Sequence, residues 1–352
     1  MSNTEKMNDQ NWSRAPIEAI AALRCASAVD TLCWVRDRLN AGEDGELVRL
    51  IYQREQDLAG RIEAAVRNSI EHQVYRMGRS NYHSHLFSLP VLIECDAEVP
   101  HDALDLTAVL PLLMRALRDN GLAGRNGMLL NHIVEHSRLA HLGPSDLYGL
   151  GREMFMCSMA ASSGQARGQG GRLRALSQAS EPQSHERPGG GTMISGHLVG
   201  CVYSTRAADT HLESMRCDSL LPRLRAILEF ALSGPMPVRV RLGAPQPMCA
   251  ALASARQMHL QTLVDDMLAS ERASDDHLSA HIAIDIEAAH VGERFLQFEL
   301  RRGDLPMVAL GASLSMHEGP ALDDIIRTLK NQVTEYGLAE LEVEYAQNRT
   351  LH

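Results

Sequence analysis

Apolar residues return at three- and four-residue steps over 15–40, at Ile17, Ile20, Leu23, Val29, Leu32, Val35 and Leu39. That spacing is the stripe of an amphipathic helix, and Asn40-Ala41-Gly42 stops it. A second stripe over 44–77 (Leu47, Ile51, Leu58, Ile62, Val66, Ile70, Val74, Met77) predicts a second helix. Joined by a short loop, the two form an antiparallel hairpin that covers a sheet or supports dimerisation. Beyond it the pattern predicts strand 86–94, helix 106–120, strand 128–136 and helix 145–156. Between 162 and 191 large apolar residues nearly vanish in favour of Gly, Ser, Gln, Arg and Pro, the composition of a flexible linker. Strand 197–204, helix 220–232, strand 238–242 and helix 247–270 follow. The period then drops to two at Ile282, Ile284 and Ile286, again at Phe295, Phe298 and Leu300, and over 305–314, with Arg302-Gly303-Asp304 as a turn. This predicts an antiparallel meander, closed by a helix over 321–336 and a strand over 341–345.

The two strand–helix–strand–helix runs echo each other. His85-Leu86-Phe87-Ser88-Leu89-Pro90-Val91-Leu92 returns as His197-Leu198-Val199-Gly200-Cys201-Val202-Tyr203-Ser204, and Leu110-Pro111-x-Leu113-xxx-Leu117 returns as Leu221-Pro222-x-Leu224-xxx-Leu228. The expected fold class is α+β (mixed α/β). Its expected parts are a helical hairpin (15–80), a first α/β unit (81–161), a flexible linker (162–192) and a second, related unit with the meander (193–346).

Composition narrows the function classes. A formal charge of −10 opposes non-specific binding to nucleic acid by the whole surface. Aromatics make up 4% of the chain, so aliphatic residues and sixteen Met must fill the core. Seven cysteines without any CxxC pair read as reduced and cytosolic. The polar start lacks the apolar stretch of a signal peptide, and no run is long enough to span a bilayer.

The sharpest chemical motif is His132-Ile133-Val134-Glu135-His136. On a helix its two histidines share one face and can ligate Zn²⁺ while Glu135 acts as general base. In letters the HxxEH pattern resembles the inverzincin motif of the insulinase-like metallopeptidases, over these five residues only. That resemblance implies a third ligand downstream, and Glu213 is the candidate. The internal repeat places strand here instead, where His132 and His136 stand too far apart to share a metal. His83-Ser84-His85 puts two imidazoles on one face of a strand. Ser313, Ser315, His317 and Glu318 cluster before a helix start, a setting for capping or an anion. Arg167, Arg172 and Arg174 form a basic, glycine-rich run able to track a nucleic-acid backbone or recruit an acidic partner. No Walker A, GxSxG or strand-borne GxGxxG motif occurs, which disfavours an ATPase, an α/β-hydrolase and a dinucleotide enzyme.

These features point to a non-catalytic cytosolic protein acting through a protein partner or self-association as a homo-oligomer, without cofactor. The alternatives are a zinc hydrolase using His132, His136, Glu135 and Glu213, and nucleic-acid binding through Arg167, Arg172 and Arg174.

Overall fold

A computed structural model describes residues 23–24, 26–51, 56–96, 106–122, 127–162, 185–186, 191–210, 212, 215–233, 238–272, 278–285, 294–303, 305–315, 317–318, 322–338 and 342–346. The fold is α+β. Helices α1 (Ala28–Ala41), α2 (Asp44–Ile51) and α3 (Gln56–Glu71) lead into strands β1 (His72–Met77) and β2 (Ser80–Cys95). Then come α4 (Leu110–Asp119), β3 (Gly127–Glu135), α5 (His136–Ala140), α6 (Pro144–Ser162), β4 (His185–Glu186) and β5 (Thr192–Ser204). A second run holds α7 (Cys217–Leu232), β6 (Val238–Leu242), β7 (Gln246–Pro247) and α8 (Met248–Arg272). The chain closes with β8 (Leu278–Asp285), β9 (Arg294–Arg302), β10 (Leu305–Leu314), α9 (Leu322–Glu335) and β11 (Glu342–Ala346).

Two boundaries differ from the periodicity. Within the stripe over 15–40, Ser27 starts a new helix through a capping box with Asp30, and Gly42 ends it at φ 74°. The predicted helix over 44–77 stops at Glu71. Val74 and Met77 continue the helical spacing of Ile70, but 72–77 pairs antiparallel with 80–85 around Gly78, so the segment is strand.

The larger sheet runs β1-β2-β5-β3, with β6 and β7 on the other edge of β2 and β4 on β5. It therefore takes strands from both sides of the segment 162–192. Its central pair, β2 and β5, is aligned over thirteen residue pairs, from His83↔Ser204 to Cys95↔Thr192. Pro90 lies inside β2 and has no N–H to donate. The ladder on that edge breaks beside it: β6 ends at Leu242, β7 begins at Gln246, and Gly243 N–H donates to the Pro90 carbonyl at 2.9 Å. At the centre the Phe87 ring fills the space above Gly200, where a Cβ would come within 2.3 Å of it.

Alternation along β2 separates two cores. Phe87, Leu89, Val91 and Ile93 pack with Leu113, Leu117, Leu224 and Leu228 under α4 and α7. Leu86, with Val199, Cys201 and Tyr203 of β5, packs under α1, α3, α6 and the start of α8. The smaller sheet runs β10-β9-β8-β11, antiparallel except for β11 beside β8. Its core is shared with α9 and with Leu260, Val264, Met267 and Leu268 of α8. Helix α8, about 37 Å long at 1.5 Å per residue, thus ties the two sheets together. Among the described residues, no helix is long and apolar enough to cross a membrane.

Candidate functional site

The face of the larger sheet beneath α8 carries an unbroken chain of buried polar groups. Ser88 (β2), His197 (β5), His136 (start of α5) and Glu318 (after β10) follow one another. Ser88 Oγ lies 3.0 Å from His197 Nδ1, His197 Nε2 lies 3.0 Å from His136 Nδ1, and His136 Nε2 lies 3.0 Å from Glu318 Oε1. Arg256 of α8 donates through Nε to the same carboxylate oxygen at 3.0 Å, and Ser315 N–H donates to Oε2 at 2.8 Å. Ser88, His197 and Glu318 are 0% exposed, and His136 is buried.

Electrostatics assigns one direction to every bond. Burial opposes the charge of Glu318, but hydrogen bonding to His136 and the Arg256 charge outweigh it and hold the carboxyl at about 2. A carboxylate only accepts, so His136 Nε2–H donates to it. Burial lowers His136, although Glu318 pulls the other way, and lowers His197 further, with His136 beside it. Both rings are neutral. His136 Nδ1 therefore accepts from His197 Nε2–H, and His197 Nδ1 accepts from the Ser88 hydroxyl. Each linking atom is satisfied, and the one charge pair is Glu318 with Arg256.

This relay resembles a serine–histidine–carboxylate arrangement with an extra imidazole, and such a chain can draw a proton from the hydroxyl. Here the hydroxyl is closed to solvent. What the arrangement does in this state is join the loop after β10 and α8 to strands β2 and β5 of the larger sheet and to the start of α5. A cavity of about 410 Å³ lies alongside, lined by Arg67, Glu71, Gln246, Cys249, Gln257 and His317 among others. Gln246 stands opposite Ser88 in the β2/β7 pair, and His317 precedes Glu318. Burial raises the Glu71 carboxyl, which accepts Cys249 N–H at 3.1 Å, and burial also raises the Cys249 thiol.

The HxxEH segment is not one helix. Strand β3 runs through Glu135, its register shifting between Leu130 and Ile133, and helix α5 begins at His136. His132 thus lies on the strand. Glu135 pairs with Arg138 at 2.8 Å, and both ring nitrogens of His136 are committed to the relay. Glu213 lies outside the described residues, as do Arg167, Arg172 and Arg174. The zinc reading is left without the helical spacing on which it depends. Among the described residues, no group of three or more His, Cys, Asp or Glu is placed to hold a metal ion. His83 and His85 gain a third ring from β1: His72 lies 5.5 Å from His83 and 6.2 Å from His85, centroid to centroid.

Sequence reasoning singled out His136 and Glu318, but in separate motifs, and missed Ser88, His197 and Arg256 as partners. The available signal was a polar residue inside an apolar strand run, Ser88 in Leu86–Ile93 and His197 before Leu198-Val199. No protein-family model, curated protein or solved structure matches the chain.

Outside this buried site, one exposed feature stands out. On α7 Phe230 is 82% exposed, and on α4 Leu112 is 50% exposed. The two helices cover the same core, and Arg223 of α7 pairs with Asp119 of α4 at 3.0 Å.

Proposed function

We propose that the chain is a non-catalytic cytosolic protein that works by contact with a protein partner, and that the outer side of α4 and α7 is where contact is made. The exposure of Phe230 carries this reading. Burying a phenylalanine side chain is worth about 1.5–3 kcal/mol, and here that gain is left for a partner. The sealed relay agrees with the reading, because its hydroxyl and imidazoles are spent on holding the fold.

The order β6-β2-β5-β3 supports a duplication behind this surface. The second strand of each β-α-β-α run lies on the first strand of the other. The register shift of β3 at Asn131 and His132 corresponds to the break between β6 and β7 at 243–245. Helices α4 and α7 then become equivalent and lie together on one face.

The test is to place a photo-reactive benzoylphenylalanine at position 230 of the full chain in the cells that make it. A protein cross-linked at 230 and absent from the same probe at Arg327, on the far helix α9, is the expected result. No protein adduct at 230 would sink the reading.

A further inference from the structure

The cavity of about 410 Å³ beside the relay is walled by α3, β7, the start of α8, the loop after β10 and the first turn of α9. Helix α3 and strand β7 belong to the larger sheet and its cover, whereas α9 packs on the smaller sheet. The cavity therefore lies where the two bodies meet. Small-molecule sites favour such junctions, with volumes of about 300–1,000 Å³.

The charges in its wall are already matched within the chain. Arg67 Nη2 pairs with Glu63 at 2.9 Å, and Asp324 pairs with Arg327. Glu71 accepts the Cys249 N–H at 3.1 Å and is hydrogen-bonded to the Cys249 thiol as well. It stands at the N-terminal end of α8, where the helix dipole favours a carboxylate.

Four neutral groups in the same wall have hydrogen-bonding capacity left over. His317 is buried and donates through Nε2–H to the Leu142 carbonyl at 3.2 Å, and burial keeps the ring neutral. Its Nδ1 is then an acceptor, with no partner among the described residues. Gln257 donates through Nε2 to the Thr328 hydroxyl at 2.6 Å, which leaves Oε1 as a second acceptor. The half-buried Gln246 and Ser254 make no side-chain hydrogen bond among the described residues, and each can donate and accept. Gln246 is the cross-strand neighbour of Ser88, so its side chain leaves the sheet on the face that carries the relay. Pro247, Ala250 and Ala253 supply the apolar part of the wall.

We propose that this cavity binds a small uncharged polyol of monosaccharide size, held by Gln246, Ser254, Gln257 and His317. The inference goes beyond the protein-contact reading and does not depend on it. An anion would meet two acceptors, at His317 and Gln257, and a guanidinium already paired with Glu63. A cation would meet carboxylates that are already engaged, beside Arg67 and the positive end of α8. A planar heteroaromatic ring would find no phenylalanine, tyrosine or tryptophan to stack on in this wall. Hydroxyl groups donate to the two acceptors and turn either way toward Gln246 and Ser254.

The experiment is equilibrium dialysis of the full chain against labelled D-glucose, D-ribose and myo-inositol. Unfolding temperatures do not serve, because polyols stabilise folded proteins by exclusion from their surface without any site. Two variants accompany the wild type: Gln246→Ala removes an amide that the fold does not use, and Ser254→Leu fills the cavity from α8. Their urea midpoints are checked, and two are used so that a loss of stability in one leaves the other to decide. At least one polyol is expected to bind saturably with a Kd below about 1 mM. Binding should weaken roughly tenfold in Gln246→Ala and vanish in Ser254→Leu. Gluconate and glucosamine, an anionic and a cationic relative, should bind roughly tenfold more weakly than the best polyol or not at all. Absence of saturable binding by all three polyols overturns the proposal. Binding indifferent to both substitutions, or tighter binding of a charged relative, overturns it equally.

Discussion

The relay and the outer face of α4 and α7 hold the same kinds of groups in opposite settings. Around Glu318 a carboxylate, a guanidinium and two imidazoles are taken out of water, and each linking atom meets a partner at 2.8–3.0 Å. On α4 and α7 Arg118 and Arg225 are exposed and, among the described residues, make no ion pair, and Phe230 of α7 is 82% exposed. Burial makes the difference. A buried charge must be matched within the chain or the fold fails, so the relay reports on folding. An exposed guanidinium costs the fold nothing, so its surroundings report on what lies outside the chain. The comparison breaks if substitutions in the two regions have similar effects on stability.

The largest effect is expected from Glu318→Ala. It leaves Arg256, whose side chain is 15% exposed, without its carboxylate and frees His136 Nε2–H in the core. One-sided loss of a fully buried pair costs about 3–5 kcal/mol, and the partial exposure of Arg256 sets the expected cost at the lower end of that range. Urea unfolding measures it directly. A loss under about 1 kcal/mol would mean that the relay does not hold the C-terminal sheet to the larger one.

Acid should act on the same groups. The folded values of His136 and His197 lie below the ordinary 6.5, so the unfolded chain takes up protons first. Their contribution is complete above that value and is lost as the pH falls below it. His317, lowered mainly by burial, acts in the same direction. Glu318, at about 2 against 4.5, adds a further loss as the pH falls from 4.5 toward 2. Urea midpoints between pH 7.5 and 4 should therefore decline with acid. In a His136→Gln/His197→Gln variant the slope above pH 5 should flatten. An unchanged slope would place the acid sensitivity elsewhere.

The elements of both regions were legible in the sequence, but the relay was not. Stripes such as Leu113-Leu117 and Leu224-Leu228 mark α4 and α7 because a helix buries every third or fourth residue whatever the rest of the chain does. The alternation of Ile282 and Ile284 marks β8 for the matching reason in a strand. Ile70, Val74 and Met77 show the limit of that logic. They fit a helical stripe, yet pairing with β2 across Gly78 makes 72–77 a strand. The relay bonds join residues 109, 61 and 182 positions apart, and no local pattern encodes such distances. HxxEH suggested a shared helical face for the same reason: spacing alone did not show that the strand ends between its Glu and its second His.

Within the relay a milder break is available at its far end. Ser88→Ala removes the hydroxyl proton accepted by His197 Nδ1 and leaves that nitrogen buried with its acceptor unfilled. The cost should be about 1–2 kcal/mol, below that of Glu318→Ala because no charge is exposed to the core. Equal losses from the two variants would show that the chain acts as one cooperative network rather than as a charge pair with a neutral extension.

The smallest effect on stability, and the sharpest test of the comparison, belongs to Phe230→Ser. The ring already lies in water, so exchanging it for a hydroxyl should change the urea midpoint by no more than about 0.5 kcal/mol in either direction. If the face serves a partner, the same substitution should remove the complex that position 230 reaches, because a central aromatic anchor can carry 2 kcal/mol or more of binding, roughly thirtyfold in affinity. Affinity for the cross-linked partner, measured with wild type and variant side by side, separates the two quantities. A destabilised variant would show that Phe230 belongs to the fold after all. A stable variant with undiminished affinity would show that its exposure serves no contact.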